Sequence, residues 1–593
     1  MKSKSFFILG FLLVFSVLQV FAQGHSDFFA ISDAADTQGW PQACYDYNSD
    51  QYLVVWEDQR SGSRTDLYGQ FVDGDGTLIG ENFAICASEG DQYWPRLDFD
   101  PANNRYLIVF QDHRNGWESG DISGIFVDGD GNFVDAPTSG SDHTFGICTN
   151  DANIYTCSVA YNYQEGVYLV VWGDFRNDPQ GESYIGADVF GQLVAADGTL
   201  LAPPEPADPA DNFAVAASDH YFESVPDVTY NELTNEFYVV YGTDWGDDSQ
   251  GSQQGYVLGQ RVDYMGQLIN PDGTVSQLAK ANGIKAVDPA QFISLRHVNG
   301  PDCFQSRVTA RTEWGHMIAK SAASTYTEVQ VVWKGRYSMQ GTNDVYGQRI
   351  GFEYDPVTQL WISQYINKDG QETQDVSNFD IGIHEGWANH TELAYSEQDD
   401  EYLVAWGDEP KGDYDLYVQR MHIDETEKMI FLADDRVNTV AATENIPVDI
   451  TTEYEGSFIG VAHSTATNDF LVAYTFGQQG DIYGHLFYGI DPSSSVTNRY
   501  EGLIPDGFAL KQNYPNPFNS ETVIAYKVNE PGHVSLTLYN IHGQKVRSLV
   551  EKNQAPGFYQ IRLNSEDLSS GVYFYKIQMG DQFQDMKKMV VIE

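Results

Sequence analysis

Carboxylates recur at one kind of place in this chain. Asp58, Asp112, Asp174 and Asp408 each stand two residues after a large aromatic, namely Trp56, Phe110, Trp172 and Trp406. Asp66, Asp121, Asp188, Asp344, Asp415 and Asp481 open the apolar run that follows. Two such groups held roughly 5 to 10 Å apart around a pocket suit glycosidic bond cleavage. Trp40, Trp94 and Trp387 lie in the approaches to the same stretches, where an aromatic face can stack on a sugar ring. Asp73-Gly74-Asp75-Gly76 and Asp128-Gly129-Asp130-Gly131 offer the oxygen ligands that calcium takes.

Each pattern also has a plainer reading. An acid repeated in nearly every copy organises a loop by accepting backbone N–H bonds, whereas a catalytic acid is needed once. Asp-Gly supplies the positive φ of a tight hairpin, and the downstream Glu of a calcium loop is missing. No cofactor is therefore expected, with calcium the one ion for which ligands are on offer. No His-Glu-x-x-His, Gly-x-Ser-x-Gly, phosphate-binding loop or Cys-x-x-Cys occurs.

The elements that position these residues are repeats. YLVVWED at Tyr52 returns as YLIVFQD at Tyr106, YLVVWGD at Tyr168, FYVVYGT at Phe237, VQVVWKG at Val329, YLVAWGD at Tyr402 and FLVAYTF at Phe470. Each is followed by a partner such as Asp66-Leu67-Tyr68-Gly69-Gln70, with Gly fourth in six of seven. Short runs rich in Val, Ile, Tyr and Trp are strands, and the Gly leaves room for the first strand's large aromatic. A half-apolar strand such as Ala43-Cys44-Tyr45 precedes each pair, and one such as Phe83-Ala84-Ile85-Cys86 follows it. Four strands, seven times over, predict an all-β chain built on a seven-bladed β-propeller at 23–490. The Ser-x-Asp-x-Gly-x-Thr-Trp box of sialidase-type propellers is absent.

Phe29-Ala30-Ile31-Ser32 is a fourth-strand copy standing before the first repeat, and the seventh repeat lacks one. This strand is expected to pair into the last blade and leave no open edge. The repeat dissolves between Gln267 and Glu328, a long and locally basic insertion.

Charge and cysteine narrow the surroundings. Formal net charge is −52. The first 22 residues carry Lys2 and Lys4, and residues 504–593 hold nine basic and nine acidic groups, so the stretch between them carries about −54. Such a surface disfavours nucleic acid and anionic lipid as partners. Residues 1–22 read as a signal peptide, with the apolar run Phe6 to Phe21 and cleavage near Ala22. No later stretch is apolar and long enough to span a membrane. Five cysteines permit two bridges at most, and export permits them without requiring them.

After the linker 491–503 the pattern changes to strands at Thr522 to Val528, Val534 to Tyr539, Phe558 to Leu563, Gly571 to Gln578 and Lys587 to Ile592, an antiparallel sandwich. Gln512-Asn513-Tyr514-Pro515-Asn516-Pro517-Phe518-Asn519, Leu538-Tyr539-Asn540-Ile541-His542-Gly543-Gln544-Lys545-Val546 and Leu568-Ser569-Ser570-Gly571-Val572-Tyr573-Phe574-Tyr575-Lys576 closely resemble the type A sorting domain of the type IX secretion system. The resemblance covers 504–593. It implies a small immunoglobulin-like β-sandwich read by an outer-membrane translocon, and a protein secreted from, or displayed on, a Gram-negative bacterium of the Bacteroidetes or a related phylum.

For the propeller, the residues point to binding of an extracellular polymer or protein, without catalysis. The alternative is a glycan hydrolase or lyase with its site at the channel mouth. The ligand-face candidates are Trp40, Trp94, Asp58, Asp112, Asp174, Trp387 and Asp408.

Overall fold

The computed structural model describes most of residues 28–487 and 509–591, leaving out short segments of which 277–292, 311–325 and 434–445 are the longest. The described residues are all-β, with nine antiparallel sheets and no helix. The signal peptide, its cleavage site near Ala22, the linker 491–503 and Trp387 lie outside them.

Seven sheets share one plan. In the first, Gln38–Asp46, Gln51–Asp58, Asp66–Asp73 and Leu78–Cys86 lie side by side in chain order. The run at Tyr52 is apolar without a break because both faces of its strand are covered. Side chains alternate along a strand, so Leu53 and Val55 pack with Tyr106 and Ile108 of the next blade. Tyr52, Val54 and Trp56 pack the other way, with Leu471 and Ala473 of the last blade.

The first strands of the seven sheets are Gln38–Asp46, Gln92–Asp100, Ile154–Asn162, Tyr221–Asn231, Cys303–Ala310, Asn389–Ser396 and Glu455–His463. Each lies against the next, and the seventh lies against the first. The sheets are therefore the blades of a closed ring. The fifth inner strand, Cys303–Ala310, sits inside the insertion where the repeat dissolves, and it went unseen in the sequence for that reason.

The expected closure is present. Phe29–Ser32 pairs antiparallel with Asp481–Phe487, placing Phe29 opposite Gly484. Phe83 stands opposite Gly69 and Phe145 opposite Gly124 in the same register. This register also corrects the reason for the glycine. A Cβ on Gly124 would lie 2.7 Å from the Phe145 ring, and one on Gly484 would lie 2.8 Å from Phe29. At Gly124 and Gly484 the space is taken by the fourth strand's phenylalanine and at Gly69 by its Ile85, while at Gly259 it is taken by Tyr238 of the second strand; in none of these is it taken by the second-strand tryptophan.

Cys44, Cys86, Cys148 and Cys157 are free thiols. The Asp-Gly turns spend their oxygens on their own hairpins: Gly76 N–H donates to the Asp73 carbonyl (2.9 Å) with φ +87°, and Thr77 N–H donates to Asp75 (2.9 Å).

The tail has two sheets, Ala509–Leu510 with Glu521–Val528 and Gly557–Asn564, and Lys545–Gln554 with Gly532–Asn540, Gly571–Met579 and Phe583–Val591. Ile524, Tyr526 and Leu563 of one sheet share a core with Leu536, Tyr575 and Met589 of the other. Phe518 of the Asn-Pro-Phe motif is buried in that core, and its N–H donates to Val590 O at 3.0 Å. Lys545–Gln554 is a strand the sequence reading missed, since Arg547, Glu551 and Lys552 break its apolar alternation. Among the described residues no helix is long and apolar enough to cross a membrane.

Candidate binding site at the axial end of the ring

The second strand of each blade ends on the same face as the first strand begins, because Gln38 stands opposite Asp58 and Gln92 opposite Asp112. Asp66 and Asp121 face the same two acids from the third strand. Like charges held this close repel, and the chain answers with an arginine two residues on. Asp58 is fully buried and accepts Arg60 N–H (2.8 Å), Arg60 Nε (2.8 Å), Arg60 Nη2 (2.6 Å) and Trp56 Nε1 (2.8 Å). Asp112 accepts the same set from Arg114 (backbone 3.1 Å, Nε 2.7 Å), and Asp174 from Arg176 (backbone 2.7 Å, Nε 2.7 Å). The guanidinium planes then cover aromatics of the third strand, with Arg60 4.0 Å above Tyr68 and Arg176 3.9 Å above Phe190.

These acids are corner pieces. Arg60 also reaches Ser32 of the closing strand (3.2 Å), and Arg176 reaches Cys148 of the preceding blade (3.5 Å), so these two corners each tie two blades together. Asp408 ends its strand in the matching position, opposite Asp415. The Asp-x-Arg spacing was visible in the sequence at 58–60, 112–114 and 174–176, and it is the signal that separates a structural acid from a free one.

The axis is built differently. Every inner strand carries a bulge near its start, where two or more of its residues oppose a single register step. By register, the bulge position holds Trp40, Trp94, Thr156, Val225, Gln305, His390 and Phe458 in the seven blades. Five of these have positive φ, from 41° to 51°, which for β-branched Thr156 and Val225 is a strained conformation. Trp40 stacks on Phe458 at 3.9 Å and meets Trp94 at 6.0 Å and His390 at 4.7 Å, edge to face. One position further along, Arg96 of the second blade pairs with Glu392 of the sixth at 3.4 Å. Side chains from blades so far apart meet only on the axis, so these contacts fill it. Trp40 and Trp94, named from sequence, are thus brought together, away from the corner acids.

Glu57 was missed. It occupies a slot that reads Gln111, Gly173, Gly242, Lys334, Gly407 and Thr475 in the other copies, so it is an acid that the repeat does not share. It is 8% exposed, and one carboxyl oxygen accepts Trp94 N–H at 2.7 Å while the other has no partner among the described residues. Burial pushes its carboxyl up to about 8, and the Trp94 N–H only partly opposes this. At neutral pH Glu57 therefore keeps its proton and can donate as well as accept a hydrogen bond. Among the described residues no cluster of three or more His, Cys, Asp or Glu is placed to hold a metal ion.

Residues 512–592 match the family described as secretion system C-terminal sorting domain. The tail is a sorting domain of the type IX system. It marks the chain for export, and the match covers none of the propeller. No curated protein matches the chain. Among solved structures it is similar to the Hadza microbial sialidase Hz136, at 8% identity over 71% of this chain and 73% of that one, with a TM-score of 0.35. A Trypanosoma rangeli sialidase is 10% identical over 88% and 90%, with a TM-score of 0.34. A putative glycoside hydrolase from Bacteroides ovatus is 9% identical over 50% and 84%, with a TM-score of 0.28. Likeness at this level assigns neither activity nor ligand.

Proposed function

We propose that the protein is an exported binding propeller that engages an extracellular polymer or protein through the axial end of its ring. The observation that carries this reading is the corner chemistry: Asp58, Asp112 and Asp174, the recurring acids the sequence offered for catalysis, are buried and each held by its own arginine. A carboxylate committed to a guanidinium and a backbone N–H cannot act as a nucleophile without breaking its blade corner. What remains on the face is aromatic and polar surface at the axis. The test is a screen of the purified full chain against polysaccharides and surface proteins, in which saturable binding without consumption of the ligand is expected.

A hydrolase or lyase is the second reading, and Glu57 favours it, since a carboxyl that holds its proton at neutral pH suits a general acid. Release of new chain ends from a bound polysaccharide, lost in Glu57→Gln, would establish it.

The export route proposed here runs from signal-peptide cleavage near Ala22 to recognition of residues 504–593 by the outer-membrane translocon, leaving the propeller secreted or surface-displayed. Because the tail has its own core and the ring is closed by Phe29–Ser32, a chain lacking 504–593 is expected to fold and accumulate in the periplasm. Its appearance in the medium would overturn this route.

A further inference from the structure

We propose that the axial end of the ring binds the terminus of an uncharged saccharide chain, seated between the aromatic half of the bulge ring and Thr156. The inference deepens the binding reading above and rests on it. Three observations converge. The first is asymmetry in size: blades six, seven, one and two place His390, Phe458, Trp40 and Trp94 at the bulge, while blades three and four place Thr156 and Val225 there. The side chains of the small half are shorter than those of the large half, and Trp40 and Trp94 are half-buried, so part of each indole is open to solvent.

The second is unsatisfied polarity. Thr156 Oγ1 has no hydrogen-bond partner, and the free oxygen of Glu57 belongs to a side chain more than nine-tenths buried, whose other oxygen holds Trp94 N–H. Unpaired buried groups are costly, and ligand hydroxyls would satisfy them. A sugar ring offers hydroxyls at its rim and a C–H face for an indole, which is the combination this surface asks for.

The third is closure of the axis. Trp40 of blade one contacts His390 of blade six over blade seven, and Arg96 of blade two contacts Glu392 of blade six across the ring, so a polymer cannot thread through and only an end can enter. Arg96 is already paired with Glu392, Arg307 of blade five shares its register position, and the surrounding domain carries about −54 of charge, so the overall field disfavours an anionic sugar.

The probes are linear neutral hexasaccharides of several linkages, cyclomaltohexaose as a neutral glucan without ends, and hexagalacturonate as an anion, titrated calorimetrically against the full chain. One linear neutral probe should bind one to one. Its parent polymer should bind one protein per chain end, and cyclomaltohexaose and hexagalacturonate should bind at least tenfold more weakly. Trp94→Ala should lose at least tenfold. Should that variant fail to fold, Thr156→Trp serves, because blades one and two already hold Trp at this backbone conformation. It should fold normally and block the site. Unchanged affinity in Thr156→Trp, equal binding of the cyclic or anionic probe, many proteins per polymer chain, or binding of no neutral probe would each overturn the proposal. If a polymer or protein binds while the axial variants have no effect, this inference falls and the binding reading stands. Absence of any ligand in the wider screen removes both.

Discussion

One face of the ring contains two regions that use similar residues to opposite ends. At the blade corners, Asp58, Asp112 and Asp174 repeat with the same spacing, the same arginine and the same burial. On the axis, the same backbone bulge presents Trp40, Trp94, Thr156, Val225, Gln305, His390 and Phe458, so its side chain varies in size and chemistry around the ring. Repetition marks what the fold needs seven times. Departure from the repeat marks what a ligand would need once. An acid in a symmetric slot is thus a poor catalytic candidate however well it is spaced, and an acid such as Glu57, alone in its slot, is the better one.

The comparison can be broken most forcefully where corner and closure meet. Deleting Phe29–Ser32 removes buried Ile31, uncovers the edge at Gly484 and takes away the Ser32 contact of Arg60, for an expected loss of about 5 kcal/mol. Urea unfolding measures it, and a midpoint unchanged by the deletion would show that the ring does not depend on this strand. Asp58→Ala should follow, at about 3 kcal/mol, because Arg60 and the Trp56 indole lose their acceptor in a buried corner and Arg60 remains partly solvated. A melting temperature matching the parent would mean that the corner acids are dispensable and their repetition has another cause.

Glu57 sharpens the contrast through pH. Its folded value of about 8 lies above the ordinary 4.5, so the folded chain holds a proton that the unfolded chain has released between those values. The sign follows: stability attributable to Glu57 is whole below about pH 4.5 and drains away as pH rises to about 8. Glu57→Gln, which never ionises, should gain on the parent progressively across that window, by about 3 kcal/mol at pH 7, and match it at pH 4. A constant difference between pH 4 and 8.5 would contradict the burial account. At a corner, Asp112→Asn should instead be destabilised throughout the neutral range, by about 1 to 2 kcal/mol, because Arg114 loses a charged partner.

Much of the ring was legible because blades bury both faces of their second strand, and a run such as Tyr52-Leu53-Val54-Val55-Trp56 announces that directly. The closing strand was legible because Phe29-Ala30-Ile31-Ser32 copies a fourth strand in the wrong place. Glu57 was not, because its meaning lies in Trp94 N–H of the neighbouring blade, 37 residues on. The glycine was misread for a similar reason: the residue that needs the space, Phe145 for Gly124, arrives from a strand whose register only the pairing reveals. Arg60, Arg114 and Arg176 were in plain view, yet a carboxylate's partner two residues away looks like loop composition until the corner is folded. Cys303–Ala310 carries too little apolar alternation to stand out from its insertion, and its place in the ring comes from the blades on either side.

The most direct test of the account compares one axial variant with one corner variant in the same binding assay. Affinity for whichever ligand the full chain captures would be measured for Thr156→Trp and Asp112→Asn, each at a temperature where it is folded. The account predicts at least a tenfold loss in Thr156→Trp and affinity within twofold of the parent in Asp112→Asn. The reverse result, a corner that governs binding and an axis that does not, would contradict it.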